Sequence, residues 1–165
     1  NRPLQSSQSI PAQSAGILIP RNQNMTDEDR VWRVNHFFLP YHHAIDALLT
    51  ARKNIETIFI SIHSFTPILN GAVRPWDIGV SYWRDNRLAK LLIDALKKVD
   101  GFEVGDNEPY AIDADYDYAV PVHGEGRGLP SAMIEIRQDG IRNAPGVETW
   151  ASRIADAYKE IERLV

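Results

Sequence analysis

The 165-residue chain contains no cysteine. That absence excludes disulfides, thiolate metal ligands and a cysteine nucleophile together, and leaves His, Asp and Glu to hold any metal. Runs of lysine and arginine are lacking too, and the formal net charge is −4, so neither nucleic acid nor an anionic membrane has electrostatic support as a partner. No apolar stretch reaches the roughly 20 residues of a membrane span, and the first residues carry no charged-then-apolar leader pattern. A cytoplasmic location is the expectation. What is present is ordinary for a folded protein: 44% hydrophobic and 24% charged residues fit one domain with its own core rather than disorder.

Residues 1–24, rich in Ser, Gln, Pro and Gly and without a helical or alternating period, read as an extended loop. Thr26 with an acid three residues later marks a helix N-cap. From Glu28 to Lys53 the apolar residues Val31, Val34, Phe38, Tyr41, Ile45, Leu48 and Leu49 recur at three- and four-residue steps, which predicts an amphipathic helix kinked or split at Pro40. The β-branched run Ile55–Ile62 predicts a buried strand delivering His63 to its C-terminal end. Asp77–Trp83 predicts a short strand or extended segment, residues 86–99 a helix ended by Gly101, Phe102–Val104 a brief strand, Ser131–Arg137 a strand, and 145–165 a final helix. Strands alternating with long helices argue for an α/β fold.

Two residues stand out within these elements. His63 admits three readings: metal ligand, general base, or a core histidine bonded at a strand tip. Glu135 interrupts the apolar run Met133-Ile134-Glu135-Ile136, so it is paired, metal-bound or protonated if buried, or else it faces water. His42 and His43, adjacent on a helix, point too far apart to chelate one ion and read as structural; His36 reads the same way. His123, among glycines, is a pocket candidate. Arg2, Arg74 and Arg127 are each able to fork onto a carboxylate or to serve as surface ion-pair partners.

Read in order, Asn1-Arg2-Pro3, Pro40-Tyr41-His42, Ile62–Pro67, Arg74–Gly79, Gly105–Tyr110, His123-Gly124 with Arg127-Gly128, and Ile134–Asp139 resemble the N-formylglutamate amidohydrolase family across almost the whole chain. The resemblance implies an α/β fold with a mixed sheet flanked by helices, of the zinc-carboxypeptidase-like (phosphorylase/hydrolase-like) kind, with residues 1–165 forming one domain. It also implies zinc as cofactor and a small acidic N-acyl amino acid as substrate, hydrolysed to the amino acid and formate in the namesake case. His63 matches a zinc-ligand histidine, Glu135 the general base and acid, and Arg2 the arginine of an Asn-Arg pair that binds substrate or polarises its carbonyl. Asn107, Tyr110, His123 and Arg127 match motifs assigned to substrate binding. The family carries a further His and acid before the Asn-Arg pair, and this chain begins at that pair. The expectation is therefore a C-terminal portion of such an enzyme, incomplete at its N-terminus and by itself weak in zinc and inactive. Two rival expectations accompany it: another N-acyl amino acid deacylase, and a non-catalytic acidic-ligand binding or interaction domain on the same fold.

Overall fold

The computed structural model describes residues 1–165. At its centre are four strands, β1 (Phe59–Phe65), β2 (Ile78–Ser81), β3 (Val104–Asp106) and β4 (Ser131–Arg137). They lie in the order β1-β4-β2-β3, with β1 and β4 parallel, β4 and β2 antiparallel, and β2 and β3 parallel. Four helices accompany them: α1 (Asp27–Arg33), α2 (Leu39–Ala51), α3 (Arg87–Leu96) and α4 (Ala144–Ile161). The fold is the mixed α/β arrangement that the alternation of elements predicts. None of the helices is long and apolar enough to cross a membrane.

The core follows from periodicity. Leu88, Leu92 and Leu96 recur every four residues along α3 and are fully or almost fully buried, joined by Ala89 and Ile93. On α4, Trp150, Ala157 and Ile161 form the matching stripe. The Asn143 side chain caps α4 by accepting the Gly146 N–H, and Pro145 sits in the first turn, where a missing N–H breaks no helical bond. These two helices cover one sheet face, burying Ile78 and Val80 of β2 with Ala132, Ile134 and Ile136 of β4. The alternate residues of β4 point the other way: Met133 packs with Ile112 and Val120, and Glu135 shares that face by the two-residue period of a strand.

Two expectations change. The strand carrying His63 begins at Phe59 and runs past the histidine to Phe65, and it is half-buried rather than buried. It is an edge strand, paired on one side only, and Ile62 is 56% exposed. The helical stretch beginning at Thr26 opens with the predicted cap, in which Thr26 and Asp29 exchange hydrogen bonds with each other's backbone N–H. It is not split at Pro40 but widens just before it, over Val34–Phe38, where the backbone stays helical and Leu39 N–H reaches back five residues to the Val34 carbonyl. That widening relieves the clash of the proline ring with the preceding turn. The expected apolar stripe is mostly not buried: Val31, Tyr41 and Leu48 are exposed, and only His42 and Leu49 of α2 are buried.

Candidate functional site

The parallel pairing of β1 and β4 sets His63 opposite Glu135 in register. Neighbouring strands in register put paired side chains on one face, and here His63 Nδ1 lies 3.8 Å from Glu135 Oε1. Both line a cleft of about 640 Å³ whose wall also includes Asn1, Arg2, Tyr110 and Asp117. Glu135 is 4% exposed, and its Oε2 is buried without a hydrogen-bond partner. Burial pushes the Glu135 carboxyl up to about 7, with the Asp117 charge adding to the rise and Arg74 and Arg2 opposing it. Burial likewise holds the His63 imidazole below its ordinary value. The cleft thus carries a carboxyl that changes protonation near neutrality beside a neutral imidazole, a pair suited to moving a proton.

Arg2 reaches the cleft because Asn1 is anchored: the Asn1 side-chain oxygen accepts the backbone N–H groups of Ala119 at 2.7 Å and Tyr118 at 3.3 Å. The Arg2 guanidinium donates to the Tyr116 carbonyl at 2.7 Å and stands 3.6 Å from Asp117 Oδ1. It remains half exposed and able to take an anion.

Tyr110 is carried in by the loop that crosses β2 and β3. Gly79 and Gly105 are register partners on those strands, and a Cβ on Gly79 would lie 1.8 Å from the Glu108 carbonyl oxygen, while one on Gly105 would lie 2.8 Å from the same atom. Only a glycine pair admits the loop this close. The Glu108-Pro109 peptide is cis, the Tyr110 carbonyl accepts from Ser81 Oγ at 2.6 Å, and the buried Arg74 guanidinium lies 4.6 Å from the Tyr110 ring centroid.

The remaining residues that the resemblance assigned to substrate stand outside the cleft wall. The Asn107 side-chain oxygen accepts the Tyr82 N–H at 2.8 Å, and its backbone is left-handed at φ 55°. His123 is buried, with Nε2 2.8 Å from His42 Nδ1. Burial and the neighbouring His123 push the His42 imidazole down to about 4, and burial lowers His123 as well. Arg127 pairs with Asp46 at the surface of α2. Arg137 is bound within the fold by Asp77, Asp139 and the Pro75 and Trp76 carbonyls. Asp113, Tyr116 and Asp117 also line the cleft and were missed by sequence reasoning; their one signal is their place in the acidic run Asp113–Tyr118.

The donors present do not make a zinc centre. No three His, Cys, Asp or Glu side chains converge on one point, whereas a hydrolytic zinc takes three protein ligands and a water. His63 and Glu135 offer one imidazole and one carboxylate.

Comparison with known proteins adds to this geometry. A family model described as N-formylglutamate amidohydrolase matches residues 1–142. The crystal structure of gene product Atu2144 from Agrobacterium tumefaciens is similar at a TM-score of 0.84 and 26% identity, covering 98% of this chain and 66% of that one. N-formylglutamate amidohydrolase from Ralstonia eutropha JMP134 has a TM-score of 0.56 at 18% identity, over 91% of this chain and 64% of that one, and so shares the fold. The chain therefore spans just under two thirds of the length of either protein. No curated protein matches it. With most of its length matched by one family model and the strand pair bearing His63 and Glu135 inside that match, the chain belongs to the N-formylglutamate amidohydrolase family.

Proposed function

We propose that the cleft hydrolyses the amide bond of a small N-acylated amino acid, N-formylglutamate being the family's namesake. The observation that carries this reading is Glu135: a buried carboxyl with an unpartnered oxygen and a protonation midpoint of about 7, open to a cleft of substrate size. As a carboxylate, Glu135 takes a proton from the attacking water while the water oxygen bonds to the acyl carbon. As that C–N bond breaks, the proton passes from Glu135 to the leaving nitrogen. Arg2 faces the same cleft and is suited to the substrate carboxylate or the developing oxyanion.

Zinc, which the family resemblance implies, would meet this chain at His63. The residues present do not complete its ligand set, and the proton steps rest on the side chains alone. Turnover of N-formyl-, N-acetyl- and N-succinyl-amino acids by the parent chain and by Glu135→Gln tests the proposal. Hydrolysis by the parent and its loss in the variant support it; equal turnover by both overturns it.

A second reading, an acidic-ligand binding domain on the same fold, is favoured by one observation, the half-exposed Arg2 guanidinium in the cleft wall. Glutamate binding at Arg2 with no turnover of any N-acyl amino acid would establish it.

A further inference from the structure

A second cavity, of about 410 Å³, shares Asn1 and Arg2 with the cleft, so that these two residues form the partition between them. Its floor is the helical stretch from Arg33 to His42 and its roof is the loop of residues 4–11 with Asn22. The roof is fastened from below: Arg30 donates to the Leu4 carbonyl and to Ser9 Oγ, each at 2.8 Å, and Arg33 donates to the Asn22 side-chain oxygen and the Arg21 carbonyl.

Charge divides the two spaces. None of the 13 residues lining the second cavity is Asp or Glu. Its cations are Arg2 and Arg33, and the donors of Arg33 end on neutral oxygens, so its charge is not cancelled by a carboxylate. Across the partition, the cleft sets Asp113, Asp117 and Glu135 against the single cation Arg2. Of the two spaces, the second cavity is the more favourable for a further anionic group, Arg2 serving both. The second cavity is also aromatic, with Phe37, Phe38 and Tyr41 in its wall, and its volume falls in the range of about 300–1,000 Å³ typical of small-molecule sites. A formyl group alone would leave it nearly empty.

We propose that this cavity is the subsite for an apolar, carboxylate-bearing arm of the ligand, with the carboxylate at Arg2 and Arg33 and the arm against Phe37, Phe38 and Tyr41. The ligand class is a small N-acyl amino acid with one aromatic or branched arm, its amide reaching Glu135 past Arg2. This rests on the reading of the cleft as an amide-hydrolysing site.

Calorimetric titration of the 165-residue chain with 3-phenylpropionate, glutarate and 3-phenylpropanol tests it without turnover. The expected result is that 3-phenylpropionate binds about tenfold or more tighter than either of the others. Phe37→Ala, a change at an exposed side chain, weakens it roughly fivefold or more. Equal binding of the three probes, or no effect of Phe37→Ala, overturns the subsite. So does a concentration-dependent dimer in sedimentation that excludes 3-phenylpropionate, since a second copy would then cover Phe37 and Tyr41. Failure of the hydrolytic reading looks different: 3-phenylpropionate binds as described while no N-acyl amino acid is turned over.

Discussion

Glu135 Oε1 and His63 Nδ1 stand 3.8 Å apart because their residues are register partners on adjacent parallel strands. The sheet ladder fixes their common face, so the pairing is set by backbone geometry before either side chain chooses a rotamer. Glu135→Gln keeps the shape and removes the proton carrier. In any N-acyl amino acid that the parent hydrolyses, turnover is expected to fall by about 100-fold or more, with the circular dichroism spectrum unchanged. Steady-state kinetics on purified parent and variant check this.

The same carboxyl ties stability to pH. Folding raises Glu135 from 4.5 to about 7, so between those values the native state holds the extra proton, and stability declines as pH rises through the window. At one pKa unit per about 1.4 kcal/mol, the cost at pH 8 is on the order of 3 kcal/mol. Glu135→Gln is therefore expected to be more stable than the parent at pH 8 and to lose that advantage at pH 4.5. Urea midpoints at the two pH values decide it.

His42 acts with the opposite sign. Its imidazole titrates at about 4 in the fold against 6.5 in the unfolded chain, so between those values the unfolded chain takes up the proton and acid favours unfolding; below about 4 the slope vanishes. His42→Phe keeps a ring against Phe38 and Tyr118 and leaves His123 Nε2 without its partner. The variant is expected to be less stable by about 1–3 kcal/mol at pH 7.5 and to lose less on going from pH 6.5 to 4.5. Thermal melts across that range show whether the acid limb has flattened.

Much of this was legible in the sequence, for reasons of pattern. A carboxylate inside Met133-Ile134-Glu135-Ile136 announces a buried acid, and the four-residue leucine spacing of α3 announces a core helix. What the pattern does not contain is pairing. Nothing local puts β4 between β1 and β2, and nothing local joins His42 to His123, 81 residues away. The apolar period from Val31 to Leu49 misled for a related reason: periodicity reports which face is apolar, and burial depends on what lies against it. Asn107 sits in a motif that the resemblance assigns to substrate binding, yet its side chain is spent on the Tyr82 N–H, a bond set by a left-handed turn that no residue type reveals by itself.

Gly79 gives a prediction about how Tyr110 is placed. An added methyl would meet the Glu108 carbonyl oxygen at 1.8 Å, too close for side-chain adjustment to relieve, so the 107–110 loop must lift. Gly79→Ala is expected to cost about 3 kcal/mol or more and to displace Tyr110 from the cleft. Chemical denaturation measures the first effect. Slower turnover of whatever substrate the parent accepts, at a pH where the variant remains folded, measures the second.

Arg74 and Asp117 bias Glu135 in opposite directions, and this separates their electrostatic roles from general damage. Arg74 is buried, has no carboxylate within ion-pairing distance, and rests on the Tyr110 ring; its charge draws the Glu135 proton affinity down, whereas Asp117 pushes it up. A general base works as the carboxylate, so the rate of the parent is expected to rise with pH through a midpoint near 7. Arg74→Met moves that midpoint to higher pH, and Asp117→Asn moves it to lower pH while releasing Arg2 from its 3.6 Å contact. Loss of fold in either variant would lower the rate at every pH without moving the midpoint. Opposite displacements of the two pH–rate curves are the outcome that assigns both residues to the electrostatics of Glu135; displacement in one direction by both would show that something other than charge governs its proton.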